Sequence, residues 1–136
     1  MKTYYDIALR DLQSAKIMLD AGIYNNVVRF CQQYVEKIFK ERIHISGDTE
    51  ADQSLLFTHK ILRLARRCGE LSDITFTKDE IIFFNELSTY YFDTNYPGDD
   101  YIEVDGETAQ DAYQNTLDFQ SKYEYLLIEQ KDNKKL

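Results

Sequence analysis

Arg29–Ile43, RFCQQYVEKIFKERI, is the stretch that decides how this chain folds. Val27 just before it, then Cys31, Tyr34, Ile38 and Arg42 recur at three- and four-residue spacing, the period of one helical face. Phe30, Val35 and Phe39 widen that stripe, and Arg29, Gln33, Glu36, Lys37 and Lys40 fall on the opposite side. A helix over 23–45 with so broad an apolar face is expected at the centre of a bundle, touching two neighbours at once.

The same period recurs on both sides. Tyr5, Ala8, Leu12, Ala15 and Leu19 predict a helix over 3–20, opened by a Thr3–Asp6 capping pair and closed by Gly22. Residues 46–56, SGDTEADQSLL, read as a polar loop. Ile61, Leu62, Ala65 and Cys68 predict a helix over 57–69 with Gly69 as its stop. Thr77, with Glu80 three residues on, predicts the start of a helix that runs to about Phe92. A turn, TNYPGDDY, carries the sole proline, Pro97. Ala109, Ala112, Tyr113, Thr116, Phe119, Tyr123 and Leu126 then predict a helix over 105–130. The expected fold is all-α: an up-and-down antiparallel bundle of about five helices in one domain, 1–130, with 131–136 as a charged, frayed tail.

Composition agrees. One proline and five glycines in 136 residues favour long helices over many turn-linked strands, and 43% hydrophobic residues are enough for a core. The eleven tyrosines exceed what one small core needs, which points towards a second subunit covering one face. The net charge of -8 is uneven: +2 over 1–46, -1 over 47–76, -6 over 77–103 and -3 over 104–136. An acidic surface repels phosphate backbones, so contact with a nucleic acid or nucleotide has to be local and on the N-terminal side.

Cys31 and Cys68 lack CxxC spacing and read as small buried hydrophobes, and neither histidine, His44 or His59, sits in a metal-binding spacing. No metal or cofactor is expected. The N-terminus has no signal-like apolar run, and no stretch is long and uncharged enough for a membrane span, so the cytoplasm is the expected location.

Two groups of polar residues stand out. Gln32, Gln33, Glu36 and Lys37 lie beside the apolar stripe, where they would organise an interhelical polar network. In FTHKILRLARR, either His59 or the threonine beside it reads as helping to cap the helix, and His59 reads alternatively as a donor facing a groove. Lys60, Arg63, Arg66 and Arg67 follow it as a basic stripe, which reads as a solvated face or as a partner for acids on a neighbouring helix, and also as the best landing place for a phosphate.

The order AGIYNNVVRF, CQQYVEKIFKERI, FTHKILRLARRCG and YYFDTNYPGD, over roughly residues 4–125, resembles the HEPN family (higher eukaryotes and prokaryotes nucleotide-binding domains), and within it the small single-domain bacterial proteins. The resemblance implies a helical bundle that is commonly a homodimer, often encoded beside a minimal nucleotidyltransferase in toxin–antitoxin-like pairs. Many relatives are metal-independent ribonucleases, marked by an arginine with a histidine after four to six intervening residues. No arginine of this chain has a histidine in that window. Where small relatives often carry Arg-Tyr-Pro, this chain has Asn95-Tyr96-Pro97, and asparagine lacks the charged, bidentate grip of a guanidinium.

The expectation is therefore a non-catalytic module that binds a nucleotide or polyphosphate, or that partners a nucleotidyltransferase. Its groove would be lined by Gln33, Glu36, Lys37, His59, Asn95, Tyr96 and Asp99. The alternatives are an atypical endoribonuclease that uses His59 with Arg63, and a helical dimer scaffold without a ligand.

Overall fold

A computed structural model describes residues 2–93, 98 and 101–128, with side chains up to 90 in the first of these segments. Asn95, Tyr96, Pro97, Asp99 and the 131–136 tail lie outside the described residues. The elements are α1 (Tyr4–Ala21), α2 (Tyr24–Ser46), α3 (Glu50–Leu55), α4 (Ile61–Ser72), α5 (Lys78–Asp93), α6 (Gly106–Phe119), a π-helical turn (Gln120–Glu124) and α7 (Tyr125–Ile128). Backbone angles stay helical from Phe119 to Tyr125, so α6, the π turn and α7 form one continuous helix. The described residues contain no strand, and no described helix is long and apolar enough to cross a membrane.

Local chemistry sets most boundaries. Thr3 and Asp6 form the expected reciprocal box at the start of α1, and Gly22 closes that helix in the left-handed region at φ 75°. Thr77 and Glu80 form the same box at α5, at 2.7 and 3.2 Å. α6 starts on Asp105, whose carboxylate accepts from Thr108 N at 2.7 Å.

Three expectations need correction. The polar loop expected over 46–56 contains α3, nucleated by a third capping box between Thr49 and Asp52. The helix expected from 57 begins at Ile61, and His59 is not its cap. Thr58 Oγ1 accepts from Lys60 N at 3.2 Å, and Ser88 Oγ of α5 accepts from Ile61 N at 3.1 Å. Gly69 does not stop α4, which runs to Ser72 and ends at Asp73, left-handed at φ 54°. Gly69 is needed for closeness instead: a Cβ there would stand 2.8 Å from the Ile74 carbonyl of the returning chain.

α2 is the central helix, packed against α1, α4, α5 and α6. Its Phe39 is the hub of an edge-to-face aromatic cluster, with ring centroids 5.4 Å from Phe84, 5.4 Å from Phe119 and 5.9 Å from Phe76. Tyr123 of the π turn completes it at 5.0 Å from Phe76. This arrangement uses the ring quadrupoles favourably and draws α2, α5, α6 and the α4–α5 link into one core. Cys31 and Cys68 are buried free thiols in that core.

Buried polar groups lock the ends of the bundle. Arg42, fully buried, donates Nε to Ser72 Oγ at 2.6 Å, Nη2 to the Leu71 carbonyl at 3.0 Å and Nη1 to Ser46 Oγ. A cation at the C-terminus of α4 meets its orphan carbonyls and the negative end of its dipole. Arg67 grips Asp52 with two bonds, at 2.6 and 3.1 Å, and so ties α3 to α4. Asn25 at the start of α2 donates to the Ile102 carbonyl at 3.0 Å and accepts from Val104 N at 2.8 Å, holding the chain that leads into α6.

Candidate functional site

The polar residues of α2 form two lines. Gln32, Glu36 and Lys40 follow one another at four-residue intervals, and Gln33 and Lys37 form a second line one residue round the helix. Each line meets a different neighbour.

The second line faces α1. Lys37 Nζ donates to Gln33 Oε1 at 3.2 Å and to Asp11 of α1. Asp11 is buried, and burial pushes its carboxyl above the ordinary aspartate range, while the bond and charge of Lys37 oppose that push. The Lys37 ammonium, expected to be a ligand donor, thus already has a carboxylate.

The first line faces the chain entering α4. Glu36, 5% exposed, uses both oxygens: Oε1 accepts from Gln32 Nε2 at 2.9 Å and meets His59 Nδ1 at 2.9 Å, and Oε2 accepts from Lys40 Nζ at 3.2 Å. An ionised carboxylate only accepts, so Nδ1 is the protonated nitrogen of His59, and Nε2 lies on the ring edge away from Glu36. The Glu36 side chain is 6% exposed and that of His59 is 43% exposed. A buried carboxylate therefore orients an imidazole that reaches the surface. The sequence reading had put Glu36 and Lys40 on the outer side of the helix, but the 57–60 link and α4 cover them.

The surroundings of His59 are open and cationic. Lys60, Arg63 and Arg66 are exposed, and among the described residues none of the three enters an ion pair, whereas Arg67 pairs with Asp52 and Glu70. Phe57, two residues before His59, is 85% exposed, an unusual position for a large apolar ring. Arg63 lies in the first turn of α4 and His59 lies in the link before it, so the two do not share a helix face. Arg29, on the polar side of the helix by its spacing, has its Nε buried without a hydrogen-bond partner among the described residues, as has the side-chain oxygen of Gln32.

The structure therefore brings Glu36 and His59 into contact, and Gln33 and Lys37 into a separate contact with Asp11. Sequence reasoning missed Asp11, Lys40 and Phe57 as members of these clusters. Lys40 was signalled by its four-residue spacing from Glu36, and Phe57 by being an aromatic beside Thr58-His59. Nothing in the sequence singled out Asp11. Among the described residues no group of three or more His, Cys, Asp or Glu side chains gathers in a way that would hold a metal ion.

A family model described as HEPN domain matches residues 1–122. No curated protein and no solved structure matches the chain.

Proposed function

This chain belongs to the HEPN domain family, and we propose that within it the chain is a nucleotide-responsive binding module whose ligand docks at the entry to α4. The observation that carries this reading is the 2.9 Å contact between Glu36 and His59 Nδ1. It holds an imidazole at the surface in a rotamer set by buried groups, with Nδ1 on Glu36 and Nε2 on the outer edge, where the doubly protonated ring donates to an anion. Lys60, next to His59 in the chain, and Arg63, in the first turn of α4, enter no ion pair among the described residues, in a protein of net charge -8. An anion is steered to such a patch and away from the acidic remainder. Phe57 offers a ring on which a base can stack. Gln33 and Lys37 act on this reading as supports that hold α1 against α2, rather than as phosphate donors. The partner is a minimal nucleotidyltransferase, the enzyme class beside which similar proteins are often encoded.

Calorimetric titration with a panel of mono-, di- and triphosphate nucleotides tests the proposal. His59→Ala and Arg63→Ala are each expected to weaken binding about tenfold, the effect of one charge-assisted hydrogen bond. Flat titrations across the panel would sink it.

The same contact favours a second reading. A carboxylate behind an imidazole is also the arrangement of an acid–base histidine, so His59 with Arg63 would act on an RNA phosphodiester. The family's arginine-then-histidine spacing is missing from this sequence, which makes it the weaker reading. RNA cleavage by purified protein that disappears in His59→Ala would raise it above the first.

A further inference from the structure

The π-helical turn Gln120–Glu124 creates a second site that shares no residue with the one at His59. A cavity of about 230 Å³ opens beside it, lined by Tyr5, Gln120, Glu124, Tyr125 and Ile128. The Glu124 carboxylate is half-buried, and two phenols hold it. Oε1 accepts from Tyr5 Oη at 2.5 Å and Oε2 accepts from Tyr34 Oη at 2.6 Å. Both donors are neutral, and no Lys, Arg or His among the described residues pairs with Glu124. Burial first, and then the carboxylate beside it, push the Tyr34 phenol far up, so the hydroxyl keeps its proton and donates it to Glu124.

A carboxylate held by neutral donors at the edge of a cavity selects for charge. Anions are repelled, and neutral ligands leave the charge uncompensated. A cationic nitrogen compensates it, the alkyl part of the same ligand covers Tyr5, Tyr125 and Ile128, and the two tyrosine rings add cation–π attraction. The volume is below that of pockets for drug-sized ligands and suits a headgroup or the end of a side chain. The turn itself is a further sign. π turns are rare, appear mostly as single-turn bulges inside α-helices, and are frequent at functional sites. Here the turn places Gln120 and Glu124 on the same cavity.

We propose that this cavity is a receptor for an alkylammonium group, with Glu124 as counter-ion and Tyr5 and Tyr125 as aromatic walls. Two sources share that chemistry, a free quaternary amine and a lysine side chain, and two probes separate them: choline and n-butylamine. The uncharged carbon isostere of choline is the control.

Two-dimensional amide NMR titrations read the result. The expected outcome is a saturable shift of the Gln120, Glu124 and Tyr125 resonances with at least one ammonium probe, and binding about tenfold weaker for the carbon isostere. Tighter binding of choline assigns the site to a free amine, and tighter binding of n-butylamine assigns it to a lysine side chain. Tyr125→Ala, at a ring 73% exposed, should weaken binding without shifting the urea unfolding midpoint, so it remains informative even where Glu124→Gln fails to fold. Equal binding of the isostere, absence of any saturable shift at tens of millimolar probe, or unchanged affinity in Tyr125→Ala would each overturn the proposal. None of these results bears on the nucleotide site.

Discussion

Glu36→Leu removes the one carboxylate that meets the Lys40 ammonium among the described residues. The pair is made at 3.2 Å, and its side chains are 7% and 6% exposed, so solvent screens it little. Removing one partner of a buried pair costs about 3–5 kcal/mol, because the remaining charge is left desolvated. The lysine stem can carry its ammonium part-way towards water, which lowers the expected loss to about 2–4 kcal/mol. Lys40→Met is milder, about 1–2 kcal/mol, because Gln32 and His59 still donate to the carboxylate it leaves behind. The double variant Glu36→Leu/Lys40→Met restores an uncharged, filled site and should lie within about 2 kcal/mol of the unmutated protein. The two singles are thus expected to be non-additive by about 2 kcal/mol. Urea unfolding of the four proteins at neutral pH, followed by far-UV circular dichroism, measures the cycle. Singles that add to the double within about 0.5 kcal/mol would refute the buried pair.

Asp52 makes stability depend on pH. The bonds from Arg67 hold its carboxyl below the ordinary value of 3.8, against the upward push of burial and with help from Thr49. A carboxyl with a depressed folded pKa contributes stability above its unfolded value and loses it as pH falls through the folded one. The melting temperature of Asp52→Asn should accordingly be lower than that of the parent at neutral pH and should converge with it below 3.8. Gly69→Ala sets a helix-propensity gain of about 1 kcal/mol against a Cβ 2.8 Å from a backbone carbonyl, and the clash should win by about 1–2 kcal/mol in urea unfolding. Asp73→Gly relieves a left-handed residue at φ 54° and should raise stability by about 0.5–1 kcal/mol in the same measurement.

Features fixed by neighbours in sequence were legible from the sequence. The apolar stripe of α2, the capping boxes at Thr3 and Thr77, and the left-handed close at Gly22 are short-range and are found as expected. α3 was missed although Thr49 and Asp52 have the same three-residue spacing, because six polar residues carry no hydrophobic period. Gly69 was taken for a terminator because glycine serves two purposes, left-handed turns and close approach, and only the fold separates them. The burial of Glu36 and Lys40 was not legible at all. It depends on the 57–60 link lying across α2, a contact more than twenty residues away in sequence.

That long-range contact changes what the chain can offer a ligand. By sequence, Lys37 and Lys40 were the cations of the central helix, yet Asp11 holds one and Glu36 the other. Releasing either for a phosphate would expose a buried carboxylate to desolvation without its partner, a penalty of the size expected for Glu36→Leu with the sign of the charge reversed. An anionic ligand thus gains more from Lys60 and Arg63, which enter no ion pair among the described residues, and from His59, whose carboxylate is part of the scaffold. The candidate site thus lies at the entry of α4 rather than at the centre of α2. It also divides the two polar lines of α2 by role: the Lys37 line joins α1 to the bundle, and the Glu36 line presents the imidazole. Lys37→Ala should therefore lower stability far more than ligand affinity, and His59→Ala should do the reverse.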